Sequence, residues 1–212
     1  MRAKNKSCSA APLFTLLLLS LLSGTALGWY GDSAETVPVN RLAAGVQAMA
    51  STRPGFAGSF NLGVGLTGWM SMELGAGYGM TDVATNSFAG RLLFKALVTK
   101  YFGGVYQLSF LLGGGVNRYP SGLAGMLLCT SQNFYDLYTG IDADCVFGNG
   151  NPRLLMQFLL GIKVKNFLAN SSSLFKPSAV FEIGIPLTND TSFTFILSAR
   201  MFMDFKILRG GP

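Results

Sequence analysis

The sequence predicts an all-β protein, an eight-stranded antiparallel transmembrane β-barrel with up-and-down meander order. Three observations carry that prediction. Charged residues make up 12% of the 212 residues and hydrophobic ones 50%, with a mean hydropathy of +0.40. Soluble domains carry about twice that charge, so the balance suits a lipid-embedded chain. Beyond the first 28 residues, no stretch approaches the roughly 18 uninterrupted apolar residues of a helical span. A closed barrel then remains as the structure that satisfies every backbone group across a bilayer. Finally, alternation of apolar with small or polar residues recurs along the chain, as strands facing lipid on one side and a lumen on the other require.

Residues 1–28 read as a secretory leader: Arg2, Lys4 and Lys6, then the apolar run "LFTLLLLSLL", then small residues ending Ala26-Leu27-Gly28. The run is too short for a membrane anchor. Cleavage would leave the barrel as residues 29–212, and it would remove three of the basic residues behind the formal charge of +6. The remaining excess is too small for a nucleic-acid partner.

The first and weakest strand covers residues 39–50. In "GFAGSFNLGVGL", Phe56, Phe60, Leu62, Val64 and Leu66 share one face, with Ala57, Ser59, Asn61, Gly63 and Gly65 on the other. "MSMELGAGYGM" sets Met70, Met72, Leu74 and Tyr78 against Ser71, Glu73, Gly75 and Gly77. The fourth strand, residues 88–102, turns Phe88, Leu92 and Phe94 out and Arg91, Lys95 and Thr99 in. The fifth, 105–117, turns Tyr106, Leu108, Phe110 and Leu112 out. The sixth, 154–165, opposes Met156, Phe158, Leu160 and Ile162 to Gln157, Gly161 and Lys163. The seventh spans 175–187, and the eighth, 192–207, alternates most cleanly, Phe193 to Phe205 against Thr194, Ser198, Arg200, Asp204 and Lys206.

An even strand number brings both termini to one rim. Connections near Thr67, Gly103 and Asn166 then fall on the periplasmic side, and those near Ser51 and Thr81, the long 118–153 segment and Thr188 on the outer side. A soluble lipocalin-like barrel would also alternate, but its solvent face would be rich in Lys, Glu and Thr. Here the less apolar face is mostly Gly, Ser and Ala, which suits a narrow lumen. Trp69, Tyr101, Phe102, Tyr106, Phe167 and Phe175 gather at one boundary as an interfacial belt would.

"FNLGVGLTGW" contains the spacing G-x-G-x-x-G at Gly63, Gly65 and Gly68. A dinucleotide loop needs a helix to follow. Another alternating strand follows instead, so no cofactor is read here.

In pattern, "FNLGVGLTGWMSMELGAGYGM" and "TSFTFILSARMFMDFKI" resemble the small eight-stranded outer-membrane barrels, the group that includes the transmembrane part of outer-membrane protein A and the X and W proteins. The resemblance implies a bacterial outer-membrane protein, surface-exposed loops, lipid as its surroundings and a monomer. Such proteins commonly end on an aromatic residue, whereas this chain continues past Phe205 to Pro212. Enzymes among these barrels generally rely on histidine, and the sequence has none. That removes Ser-His-Asp hydrolysis and imidazole metal sites, and a non-enzymatic protein is expected. Asp136, Asp142 and Asp144 lack an EF-hand spacing, so no metal is read.

Two sets of residues stand out. Pairing Leu66 with Met70, Met80 with Phe88 and Phe102 with Tyr106 lines up Gly63, Glu73, Lys95 and Gly113 in one lumen row. Neighbours across strands stand about 5 Å apart, close enough for an ion pair. Glu182 and Arg200 come out as diagonal neighbours. With Arg91, these charges either neutralise a plugged lumen or exchange partners as a gate. The second set lies on the long 118–153 segment, read as an extracellular loop closed by a Cys129–Cys145 disulfide worth about 3 kcal/mol. Met126, Leu128, Phe134, Tyr135 and Tyr138 would be its contact surface for a host or environmental ligand. The expected function is surface interaction with envelope support. The competing reading is a narrow channel for small, perhaps hydrophobic, solutes.

Overall fold

The structure is a computed structural model that describes residues 33–52, 55–81, 84–101, 105–117, 119–148, 151–167, 175–189 and 191–204. The leader and the tail after Asp204 lie outside the described residues. Ten strands form the barrel: β1 (Arg41–Ser51), β2 (Gly55–Thr67), β3 (Met70–Thr81), β4 (Ala84–Tyr101), β5 (Tyr106–Asn117), β6 (Tyr119–Ser131), β7 (Tyr135–Phe147), β8 (Pro152–Lys165), β9 (Phe175–Pro186) and β10 (Thr194–Asp204). Each pairs antiparallel with its sequence neighbour, and β1 pairs with β10 to close the sheet. Closure leaves no open edge, the condition for placing a sheet in lipid.

All eight expected strands are present, as β1–β5 and β8–β10. The count rises to ten because the expected 118–153 loop is itself a hairpin, β6 and β7. Its register runs from Ser121 opposite Val146 to Ser131 opposite Asp136. This removes the disulfide as well. Cys129 lies opposite Tyr138 and Cys145 opposite Gly122, so they are separated by seven residues along the hairpin, roughly 24 Å at strand rise. They also have opposite parity and face opposite sides of the wall. A disulfide needs Cα atoms within about 7 Å, and both cysteines are free.

Strand parity divides the wall cleanly. The outer face exposes Phe60, Leu112, Leu128, Leu160, Phe181 and Leu197, whereas Glu73, Lys95, Asp136, Asp142, Lys163 and Glu182 are buried inside. A water-soluble barrel would show the reverse distribution. At the rim bearing the Gly68–Trp69 turn, here called the near rim, Trp69, Tyr106, Phe134, Tyr135 and Phe167 are exposed. At the far rim lie the strand ends at Ser51, Gly55, Thr81, Ala84, Asn117, Tyr119, Phe147, Pro152, Pro186 and Thr194.

Inside, the middle of the barrel is apolar. Leu93, Leu111, Leu123, Leu127, Leu159 and Val180 pack in one buried cluster, and Ala34 joins them from outside the sheet. Ala34 belongs to a segment, residues 33–40, that precedes β1 and runs through the lumen. Met49, Ala57 and Ile196 form a second, smaller cluster.

Candidate functional site in the barrel lumen

The 33–40 segment runs from mid-barrel to the near rim and leaves the lumen at a tight turn into β1. The Arg41 N–H donates to the Pro38 carbonyl at 3.1 Å, and Asn40 takes φ 64°. Asparagine tolerates that left-handed conformation better than most residues. At the exit, Val39 forms a parallel bridge with Gly65. A Cβ on Gly65 would collide with the Val37 and Pro38 carbonyls, so this glycine makes the passage for the segment. The β2–β3 register shifts at the same point, between Gly65 and Thr67.

Extended chain inside a lumen needs partners for its carbonyls, since an unmade buried hydrogen bond is costly. The barrel wall supplies them. Lys95 Nζ donates to the Ser33 carbonyl at 2.9 Å and to the Glu35 carbonyl at 2.8 Å, and Ser109 Oγ donates to the Ala34 carbonyl at 2.5 Å. The Glu35 carboxylate is held by Lys163 Nζ at 3.2 Å and Lys165 Nζ at 3.3 Å. Lys165 also pairs with Asp136 at 2.6 Å. The segment therefore acts as a plug, clamped by three lysines from two well-separated strands.

The expected lumen charges fall into three groups. Glu73, Lys95 and Arg200 come together: Arg200 Nη2 lies 2.8 Å from Glu73 Oε2 and Lys95 Nζ lies 3.8 Å from Glu73 Oε1. The expected pairing of Gly63 with Glu73 is observed. The next two are displaced: Lys95 stands opposite Ser71 and Leu111 rather than Glu73 and Gly113, because β3–β4 and β4–β5 each pair two residues from the expected register. A long lysine spans that diagonal. Glu182 is opposite Ile196, and Arg200 is opposite Ser178, so the two stand four residues apart along the ladder rather than as diagonal neighbours. Glu182 accepts a 2.6 Å bond from the Tyr138 hydroxyl. The tyrosine ring crosses Gly161, where a Cβ would overlap it, to reach the strand beyond. Arg91 lies toward the far rim, where it lines a void of about 20 Å³ with Asp144 and Asn61. That volume holds about one water.

The expected loop surface is dispersed. Met126 and Leu128 face outward on β6, Phe134 and Tyr135 sit at the near rim, and Tyr138 is buried in the lumen with 4% exposure. Folding the segment as a hairpin distributes its aromatics to both sides of the wall and to the opposite rim. Sequence reasoning did not find Glu35, Ser109 and Lys165 as lumen partners. The available signal was an excess of inward lysines at Lys163 and Lys165, which needed a carboxylate from elsewhere in the chain.

At the near rim the lumen widens to a vestibule of about 420 Å³. Arg41, Lys163, Lys165 and Lys176 line it, and Glu35 of the plug is the one carboxylate among the described residues on its wall. The two ends are thus unlike: a near-rim vestibule rich in cations, and a small far-rim void beside Arg91 and Asp144.

No family model matches the chain, and no curated protein matches it either. Among solved structures, it is similar to the N-terminal β-barrel domain of Pseudomonas aeruginosa OprF. The identity is 13% and the TM-score 0.35, covering 78% of this chain and 98% of that one.

Proposed function

We propose that this protein is a non-enzymatic, monomeric barrel of the bacterial outer membrane that works as a narrow, normally closed channel for small solutes. The plug is its closing element. One observation carries the reading: the lumen is blocked by an extended segment from outside the sheet, whereas a barrel serving only as a scaffold can be filled by its own side chains. The lipid-suited outer wall, with large apolar side chains exposed around a charged interior, supports the membrane location. An even strand count brings the start of β1 and the end of β10 to the near rim, and we take that rim as the periplasmic one. Adhesion through a long outer loop loses its support, because the residues assigned to that loop are wall strands.

Planar-bilayer recording tests the channel. The intact protein should be closed most of the time, and deletion of residues 29–37 should give a steady conductance. Substituting Lys95→Gln should raise the open fraction without removing the segment. A deletion variant that folds and stays silent would show that the lumen does not conduct.

A further inference from the structure

We infer that the near-rim vestibule is a binding site for a small free dianion, inorganic phosphate or a phosphomonoester, and that this anion competes with Glu35 for the lysines that hold the plug. The inference deepens the channel reading and rests on it for the consequence of binding, though not for binding itself.

Charge is the first support. Arg41, Lys163, Lys165 and Lys176 face one cavity of about 420 Å³ with Glu35 as its single carboxylate among the described residues. Arg41 and Lys176 make no ion pair among the described residues, and both line the cavity with Lys163 and Lys165. Asp136 neutralises Lys165 from behind, inside the wall. Lys163 is almost fully buried, and its ammonium lies 3.2 Å from Glu35 Oε2 and 5.3 Å from the Phe202 ring centroid. A cation so far removed from water needs an anion, and here that anion is borne on a separable segment.

Geometry is the second support. The basic side chains project from β1, β8 and β9 and converge toward the barrel axis rather than toward the wall's outer face. A solute in the lumen can reach them, whereas a lipid headgroup outside the apolar wall cannot. Gln107, Asn166 and Ser178 add neutral hydrogen-bonding groups to the same wall. Three separated acceptor oxygens and a double charge would match several cations at once, more favourably than the single charge of a chloride ion. Glu35 is 35% exposed, so a dianion entering the vestibule meets its carboxylate directly. As the anion takes Lys163 and Lys165, Glu35 loses those two salt bridges, while Lys95 and Ser109 still hold the plug's carbonyls.

Isothermal titration of the folded protein in a zwitterionic detergent, with inorganic phosphate added at constant ionic strength against a chloride background, tests the site. Phosphate should bind. The Arg41→Gln/Lys176→Gln variant should bind it about tenfold more weakly, as loss of a charge-assisted contact would give, and Glu35→Gln should bind it more tightly. Amide hydrogen exchange of residues 33–37 should quicken with phosphate. No heat beyond the chloride control, or affinity unchanged in the Arg41/Lys176 variant, would overturn the site. Binding with unchanged exchange would overturn the competition with Glu35. Because these measurements need no conductance, a silent bilayer would refute the channel and leave the anion site standing.

Discussion

Gly63 shows how closely the lumen is fitted at one residue. A Cβ there would stand 3.0 Å from Arg200 Nη2, 3.2 Å from Glu73 Cγ and 3.2 Å from Val37 Cγ2. The position therefore touches the Arg200–Glu73 ion pair and the plug at once, and even a methyl group would need these side chains to give by a few tenths of an ångström. Gly68, five residues on, has nothing within 4 Å of an added Cβ. The two glycines of one G-x-G-x-x-G run consequently respond differently to substitution. Gly63→Leu should destabilise the folded barrel by about 1–3 kcal/mol through overpacking, whereas Gly68→Ala should be nearly silent. Denaturation midpoints in detergent micelles measure both. An unchanged midpoint for Gly63→Leu would place the Glu73 side chain and the plug elsewhere.

The β6–β7 hairpin is the element on which sequence and structure differ most. If it forms wall, Cys129 and Cys145 cannot meet, and the folded protein should show the same electrophoretic mobility with and without reductant. Both thiols should react with a maleimide after unfolding. In the folded protein, buried Cys129 should be protected. A mobility shift on reduction would restore the closed loop. The reason the hairpin was illegible is physical. β6 is apolar on both faces: Leu123, Leu127 and Cys129 point into the buried cluster, and Ala124, Met126 and Leu128 point out. Polar–apolar alternation therefore vanishes where the lumen itself is apolar. β7 does alternate, Asp136, Tyr138, Asp142 and Asp144 inward against Tyr135, Leu137 and Ile141 outward, but its acids and cysteine also suit an exposed loop. By contrast, β2, β3 and β10 line more polar or glycine-rich parts of the lumen, and their faces were readable from the chain. The meeting of Glu73 with Lys95 was readable too, since a lysine tolerates a diagonal error. The contact of Glu182 with Tyr138 was not, because it depends on β7, a strand the sequence did not reveal.

At the scale of the whole molecule, barrel closure and lumen closure rest on different interactions. The ten-strand hydrogen-bond ring closes without the plug, because β1 pairs directly with β10 from Arg41 to Ser51. The plug instead balances charge inside that ring. Without it, Lys95 keeps Glu73 and Lys165 keeps Asp136, while Lys163 loses Glu35. Removing one partner of a fully buried pair costs about 3–5 kcal/mol; Glu35 is 35% exposed, and water enters the emptied lumen, so the cost here is smaller. Deletion of residues 29–37 should therefore preserve a folded, SDS-resistant band on unheated gels, yet lower the temperature at which that band converts to the unfolded one. Adding Lys163→Met to the deletion should recover part of the loss, because the buried charge that lost Glu35 is then gone. Loss of the folded band at every temperature would mean that the plug is needed to form the barrel. An unchanged conversion temperature would mean that Glu35 does not balance Lys163. The expected intermediate result would separate a membrane wall that stands alone from an occupant that can leave it, which is the physical requirement for a lumen that opens.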